Sequence, residues 1–127
     1  MALLIDTQVI IWLENNPNKF SKETKRILSI EDVVYFSHAS IWEMSIKLKI
    51  GKLFLDENLE KFFLNFQNTY KFQPLPIKQS HIYQTEQLDL HHKDPFDRLI
   101  VAQSMIENLS IVSSDVIFDK YIDNRIW

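Results

Sequence analysis

Four acidic residues stand where the ends of predicted secondary-structure elements should meet. Asp6 directly follows the apolar run at residues 2–5, and Asp115 closes a second short apolar run. Asp97 lies in the first turn of one predicted helix, and Glu43 lies near the start of another. Because parallel strands open their carboxyl ends at one edge of a sheet, these side chains are expected to converge.

Converging carboxylates indicate a particular chemistry. Like charges held close together are costly unless protons or a cation offset them. Hard divalent cations prefer oxygen ligands, and Mg²⁺ usually takes one or two carboxylates together with water and phosphate. Such a site can activate water and stabilise the leaving oxygen of a phosphodiester. The pattern therefore favours metal-assisted hydrolysis of a nucleic-acid backbone.

Each of these acids also has a purely structural interpretation. Asp6 could cap the helix that it precedes, and Asp115 could cap the turn that follows it. Asp97 could favour the dipole of its helix, and Glu43 could be an ordinary exposed helical residue. The joint placement of all four at one predicted sheet edge is what favours a shared site.

The helix that carries Asp97 has clear limits in the sequence. Asp94 and Pro95 are typical of a helix start, with an acid as N-cap and proline at the first helical position. Apolar residues then recur at helical spacing until Asn108. A short strand at residues 111–112 follows and stops before Asp115.

Strands and helices alternate along the rest of the chain. The pattern predicts strands at 2–5 and 32–37, a very short or edge strand within 72–77 and a final edge strand at 125–127. It predicts helices at 9–13, 21–30, 40–50, 56–70 and 78–88, and a short helix or turn at 118–122. In the helix at 78–88, Ile82 and Tyr83 are expected to face inward. This alternation predicts an α/β fold with a parallel sheet covered by helices on both faces, formed by residues 1–127 as a single domain.

Composition excludes several other classes of protein. The only glycine is Gly51, so a Rossmann dinucleotide site and a P-loop are excluded. Cysteine is absent, which rules out disulfides and thiolate metal sites. The net charge of −3 argues against a passive nucleic-acid binder. No apolar run reaches the roughly 18 residues that span a membrane, and the first residues lack a signal-peptide pattern, so a cytoplasmic protein is expected.

Several segments together resemble the PIN-domain ribonucleases, and within them the VapC-type toxins of prokaryotic toxin–antitoxin pairs. The matching segments are Leu-Leu-Ile-Asp-Thr at 3–7, Ser-Ile-Trp-Glu-Met-Ser-Ile-Lys at 40–47, Ile-Gly-Lys-Leu at 50–53, Leu-His-His-Lys-Asp-Pro-Phe-Asp-Arg-Leu-Ile-Val-Ala-Gln at 90–103 and Ile-Val-Ser-Ser-Asp at 111–115. They cover essentially the whole chain in order, and the Asp-Pro-Phe-Asp-Arg stretch is the most specific of them.

The resemblance implies a small three-layer α/β/α sandwich with Mg²⁺- or Mn²⁺-dependent endoribonuclease activity. Carried over position by position, it makes Asp6 and Asp97 the direct metal ligands. Glu43 and Asp115 would complete the acidic pocket, bind a second metal or orient the attacking water. Ser113 keeps the hydroxyl that the family commonly has two residues before the last acid.

Two choices remain within the segment before the helix. Asp94 and Asp97 are three residues apart, and we interpret Asp94 as the cap and Asp97 as the ligand. His91 and His92 are left out of the predicted site. Loop histidines are more often solvated or substrate-facing, and a hard Mg²⁺ site has little use for imidazole.

Basic and aromatic residues suggest how substrate and partner could bind. Lys47, together with Lys49 and Lys52, lies just beyond Glu43, and Arg98 adjoins Asp97; these residues could line an RNA path or simply be solvated. Aromatic residues are more numerous than a small core is expected to bury, so a surplus could form a groove for a partner helix. The candidates are Phe62, Phe63, Phe66, Tyr70, Trp12 and Trp42. The resemblance further implies a cognate antitoxin and a homodimer.

Two other classes of function are alternatives, a phosphotransfer domain and a non-catalytic binding module. The sequence disfavours both forms of the phosphotransfer domain. A phosphatase of the haloacid-dehalogenase type needs a second acid two residues after the first, and position 8 is Gln8. A receiver domain needs a phosphorylatable aspartate at the end of a central strand, and the second strand here ends in Ser37 and His38. The remaining alternative is a catalytically silent relative that only binds RNA or protein.

Overall fold

The fold is built on a parallel sheet of four strands, which a computed structural model of the chain describes for residues 2–127, with Met1 outside the described residues. In chain order the strands are β1 (Ala2–Ile5), β2 (Val33–Ser37), β3 (Gln73–Leu75) and β4 (Ser110–Val112). Their order in the sheet is β3-β2-β1-β4, so β1 is flanked by β2 and β4. The carboxyl ends of these three strands therefore open at one edge.

Six α-helices connect and cover the strands within residues 2–127. They are α1 (Thr7–Asn15), α2 (Lys22–Ile30), α3 (His38–Lys49), α4 (Leu59–Tyr70), α5 (Gln79–Glu86) and α6 (Pro95–Glu107), with short 3-10 helices at Pro17–Lys19 and Val116–Lys120. In this described part of the chain, none of the helices combines the length and apolar character needed to cross a membrane.

The apolar core lies on both faces of the sheet. Leu3 and Ile5 of β1 pack on one face with residues of α1, α3 and α4, whereas Leu4 packs on the other face with Ile100 of α6 and Ile111 of β4. All of these side chains are buried. Successive side chains of β1 thus point to opposite faces of the sheet and contribute to two separate core layers. The predicted three-layer α/β/α architecture is confirmed.

Local capping explains where the helices begin. Ser21 and Asp94 cap α2 and α6, as predicted. α3 begins at His38, two residues earlier than predicted, because the side chain of Ser37 accepts from the Ala39 N–H. α4 begins three residues later than predicted, because Asn58 is its N-cap.

Two details of the sequence prediction are wrong in the region of α5 and the chain end. Ile82 and Tyr83 of α5 are 53% and 67% exposed, and the inward residue is the fully buried His81. The His81 ring faces inward because Nδ1 accepts from the Lys78 N–H and Nε2 contacts the Glu107 carboxylate. The last residues form only a single bridge, between Ile126 and Val112, and not a strand.

The aromatic residues divide differently from the prediction. Phe62, Phe63 and Phe66 of α4 are buried against the sheet, so they are core residues and not part of an exposed surplus. Tyr70 and Trp12 are half-buried and pack against the same core. Trp42 is the exception, because it is 58% exposed.

We expect truncation of Phe66 to be strongly destabilising. Its ring contacts Phe36 of β2 and Phe72, at centroid distances of 5.6 and 5.8 Å, so Phe66→Ala would leave a cavity at the sheet face. The loss in the free energy of unfolding should be about 3–5 kcal/mol by denaturant titration. Leu64→Ala on the exposed side of α4 is the control and should change it by less than about 1 kcal/mol. Equal effects of both changes would contradict this packing.

Candidate functional site

Asp6 is fixed at the carboxyl end of the central strand. It follows β1 and is the N-cap of α1, with Oδ1 accepting from the Val9 N–H at 2.9 Å. The carboxyl group also makes a hydrogen bond with the Ser113 side chain, and the residue is only 5% exposed. The capping interpretation is therefore correct for this residue, and it does not exclude a role in the acidic pocket.

Asp97 and Asp115 meet across the same edge. Asp97 lies in the first turn of α6, and Asp115 follows β4 and caps the next 3-10 helix by accepting from the Ile117 N–H with Oδ1. Their Oδ2 atoms lie 3.1 and 3.0 Å, respectively, from Nε2 of His92. The ligand atoms of these three residues all lie within 4.8 Å of one another, which is a spacing that suits a metal ion.

Glu43 approaches the site from the first turns of α3, and its buried carboxylate has two partners. The Thr7 hydroxyl donates to Oε1 at 2.7 Å, and the Lys47 ammonium lies 3.1 Å from Oε2. Thr7 also lies 2.9 Å from the Ser40 hydroxyl. These contacts hold Glu43 toward the N-terminus of α1, next to Asp6, because Thr7 is the residue that follows Asp6.

The Ser113 hydroxyl connects two of the acids. It accepts from the Asp115 N–H at 3.0 Å, and its side chain bonds to Asp6. Ser113 is fully buried at the end of β4. The hydroxyl predicted from the sequence therefore sets the relative placement of Asp6 and Asp115.

The pKa values reflect the crowding of negative charge. Burial, followed by the charges of Asp94, Asp6, Glu43 and Asp115, raises the pKa of Asp97 to about 8. Burial also raises the pKa of Asp6 to about 6, with smaller raising effects from Asp115 and Glu43, although hydrogen bonds from Ser113 and Val9 oppose the shift. Asp6 and Asp97 therefore both lie close enough to Glu43 and Asp115 to be affected by their charges.

These residues fit a small divalent cation. The donor atoms are carboxylate oxygens, they come from separate elements, and burial disfavours their charged forms in the absence of a positive partner. Two carboxylates satisfy backbone N–H groups with Oδ1, which orients them. A Mg²⁺ or Mn²⁺ site requires carboxylates that are held in fixed directions around one negatively charged position.

Two residues that contact the acids are not part of the site predicted from the sequence. The prediction leaves out His92, yet its ring lies between Asp97 and Asp115. It gives Thr7 no role of its own, although Thr7 holds Glu43. Their positions in the sequence offered a signal, because Thr7 follows Asp6 directly and His92 lies two residues before the helix cap Asp94.

The two predicted cationic contacts differ in where they point. The Lys47 ammonium is at the pocket, paired with Glu43. The Arg98 guanidinium instead donates to the carbonyl oxygens of Thr85 and Leu88, at 2.8 and 3.2 Å, at the end of α5. Its observed contacts therefore brace α5 against α6 and are not directed at the acids.

Sequence comparison identifies the family. The family model for the PIN domain matches residues 3–123. The chain therefore belongs to the PIN-domain family, and the resemblance of its sequence to that family is confirmed. A comparison with curated proteins finds no match.

Solved structures share this fold at low sequence identity. VapBC2 from Rickettsia felis, bound to a DNA fragment from its promoter, is similar with a TM-score of 0.71 and 16% identity, over 99% of this chain and 96% of that one. VapBC-1 from nontypeable Haemophilus influenzae is similar with a TM-score of 0.69 and 18% identity, over 100% of this chain and 96% of that one. A toxin–antitoxin complex from Klebsiella pneumoniae is similar with a TM-score of 0.64 and 16% identity, over 98% of this chain and 96% of that one. These similarities establish the fold.

We expect Asp97→Asn to stabilise the metal-free protein near neutral pH, by about 1–2 kcal/mol in the free energy of unfolding. The pKa of Asp97 is about 8 in the folded chain against an ordinary 3.8, so its ionisation costs stability as the pH rises from 3.8 to about 8. Amide replacement removes that cost. Below pH 3.8 both states hold the proton, and the advantage should disappear.

Thermal unfolding in EDTA, measured from about pH 5 to about pH 8, tests this expectation. The matched control is Asp32→Asn, an exposed aspartate at the opposite, amino-terminal end of β2. An Asp97→Asn variant that is less stable than the unaltered protein throughout this range would contradict the proposed electrostatic cost.

Proposed function

We propose that this chain is a Mg²⁺- or Mn²⁺-dependent endoribonuclease and the toxin of a toxin–antitoxin pair. The observation that carries the proposal is the convergence of Asp6, Glu43, Asp97 and Asp115, where burial, with a smaller contribution from the neighbouring acids, raises the pKa values of Asp6 and Asp97. A purely structural set of acids would be expected to disperse or to pair with bases. Here Lys47 and His92 contact three of the four acids, yet the pKa values of Asp6 and Asp97 remain raised, a cost that a bound cation would relieve.

The residues at the site divide into holding and orienting roles. Asp6 and Asp97 would be the direct metal ligands, and Glu43 and Asp115 would bind a second ion or position water. Bound there, a divalent cation supplies Lewis-acid activation of water and stabilisation of the leaving oxygen of a phosphodiester. The hydroxyls of Thr7 and Ser113 keep Glu43, Asp6 and Asp115 oriented.

Lys47 supports the binding of an anionic backbone at an otherwise negative site. Its ammonium pairs with Glu43, so it lowers the negative potential where a phosphate would approach. Lys49 and Lys52 are exposed farther along the same segment and extend this positive charge. We propose RNA phosphate contacts for these lysines, with Arg98 in a bracing role at α5.

The first experiment measures cleavage of RNA by the purified chain with Mg²⁺ or Mn²⁺. Asp6→Asn and Asp97→Asn should each lower the rate by about a hundredfold or more, because each removes a charged ligand. Addition of EDTA should stop the reaction, and added metal should restore it. Asp32→Asn, far from the acids at the other end of β2, should retain the rate. Undiminished cleavage in EDTA, or by both folded ligand variants, would reject the mechanism.

An apolar groove beside the acids supports the proposed protein partner. Trp42 and Phe96 pack edge to face at a centroid distance of 5.1 Å, and each directly precedes an acid of the pocket in the chain. Ile82 of α5 lines the same groove and is 53% exposed. An amphipathic helix seated there could bury this surface and bring a basic side chain to the acids. The similar structures of VapBC and other toxin–antitoxin complexes agree with such a partner.

We expect Trp42→Ser to weaken binding of the antitoxin by about tenfold or more, because an exposed aromatic side chain is the typical anchor of such an interface. The antitoxin is the protein that a neighbouring gene would encode. Isothermal titration with the purified partner measures the effect. Phe54→Ser is the control, because Phe54 is 86% exposed but lines a different part of the surface. A chain that is monomeric and has no affinity for the neighbouring protein would count against both the antitoxin and the homodimer.

A catalytically silent RNA- or protein-binding relative remains the alternative to this proposal. The two hypotheses differ in what the acids do when metal is added. A silent relative would bind RNA without producing new ends, and its Asp97→Asn variant would bind RNA at least as well as the unaltered chain. Mapping of RNA ends before and after incubation separates the two cases.

A further inference from the structure

His92 lies where the carboxylates of Asp97 and Asp115 face each other. Its Nε2 atom is 3.1 Å from Asp97 Oδ2 and 3.0 Å from Asp115 Oδ2, and its side chain is only 13% exposed. The contact with Asp115 has hydrogen-bond geometry. A nitrogen thus occupies the space between two oxygens that would otherwise repel each other.

The backbone determines which nitrogen of this ring carries the hydrogen. The Asp94 N–H donates to Nδ1 at 3.2 Å, so the Nδ1 lone pair is engaged. A neutral imidazole has one N–H, which must then lie on Nε2. Nε2 is therefore a donor toward Asp115 and has no lone pair for a metal ion. A ligating histidine normally has the opposite arrangement, with its second nitrogen donating to a carbonyl or carboxylate.

His81, which is fully buried, shows the same arrangement away from the acids. The Lys78 N–H donates to Nδ1 of His81 at 3.0 Å, and Nε2 lies 2.9 Å from the Glu107 carboxylate. His81 is a structural residue that braces α5 on α6. Both histidines therefore accept a backbone N–H with Nδ1 and direct Nε2 at a carboxylate, so the arrangement recurs in this fold.

The loop that carries His92 has a second anchor besides the bond from the Asp94 N–H to the ring. The His92 N–H donates to the Tyr121 hydroxyl at 2.8 Å, and that hydroxyl donates to the Asp89 carbonyl at 2.6 Å. The ring packs against Phe118, at a centroid distance of 5.8 Å. Side-chain rotation could therefore move Nε2 away from the acids at the cost of the Asp94 bond, while the Tyr121 anchor keeps the loop in place.

From this geometry, and on the basis of the proposed metal site, we infer that His92 is a placeholder for the cation: a positioning residue that donates through Nε2–H to Asp115, lies against the Asp97 carboxylate and is displaced when metal binds. It is a competitor for the carboxylates and not a ligand. This role has an unusual consequence, because removing a competitor strengthens metal binding, whereas removing a ligand weakens it.

The test compares metal affinity in His92→Leu, His92→Gln and the unaltered full-length chain. Titration calorimetry with Mn²⁺ alone, and separately with Mg²⁺, should show about tenfold tighter binding in His92→Leu, since one hydrogen bond to a charged group no longer competes. His92→Gln keeps an N–H donor at similar reach and should bind metal nearly as the unaltered chain does. Weaker or unchanged binding by His92→Leu would overturn the inference.

His91→Leu is the matched control. His91 is the neighbouring histidine, and its ring packs against Tyr121 and contacts Asp89 at 3.9 Å, so its contacts are directed away from Asp97 and Asp115. Its replacement should leave metal affinity unchanged. A tightening equal to that of His92→Leu would assign the effect to general loss of loop structure and overturn the inference.

A second measurement needs no variant and covers the case in which His92→Leu does not fold. Long-range ¹H–¹⁵N spectra of the metal-free chain should show the His92 hydrogen on Nε2, and addition of Mg²⁺ should change the ring environment without coordination of either nitrogen. A hydrogen on Nδ1, with a free Nε2 lone pair that coordinates Mn²⁺, would overturn the inference.

These measurements separate the inference from the proposed function. Metal binding that tightens in His92→Leu, in a chain that cleaves no RNA, would support the placeholder and reject the nuclease. Metal-dependent cleavage together with weaker metal binding in His92→Leu would support the nuclease and overturn the placeholder.

Discussion

The crowding of buried and partly buried carboxylates at one edge of the sheet is the constraint on which the rest of this structure depends. Asp6 and Asp97 lie in surroundings that raise the pKa values of both groups, and neighbouring acids add to the effect of burial. Such an arrangement weakens the fold unless something positive compensates. The rigid sheet edge sustains it, because β1 is paired on both sides and cannot move Asp6 away from Asp115.

Capping and the proposed metal site use the same side chains here. Asp6 and Asp115 each give one oxygen to a backbone N–H at a helix start, and this bond fixes the direction of the other oxygen. A capping acid is therefore an orienting device for a ligand, and the two interpretations are not exclusive. The hydroxyls of Thr7 and Ser113 extend the same principle to Glu43 and to the link between Asp6 and Asp115.

Some sequence signals were ambiguous for identifiable physical reasons. Hydrophobicity predicted that Ile82 would face inward, but His81 took that place because its ring satisfies a backbone N–H and a carboxylate at once. The phenylalanines of α4 are core because β2 offers Phe36 as a partner, a contact between residues distant in sequence. Arg98 adjoins Asp97 in the chain, but its side chain reaches the carbonyl groups that end α5.

The sequence by itself determined the alternation of strands and helices, the caps at Ser21 and Asp94, and the identity of the four acids, because these depend on local periodicity and on short motifs. Only the tertiary structure decided which atoms meet. The placement of His92 between Asp97 and Asp115 depends on how β4 and α6 pack, and on a backbone N–H that fixes the ring's hydrogen. Residue types and spacing carry no information on such contacts, because they arise only when separate elements are brought together.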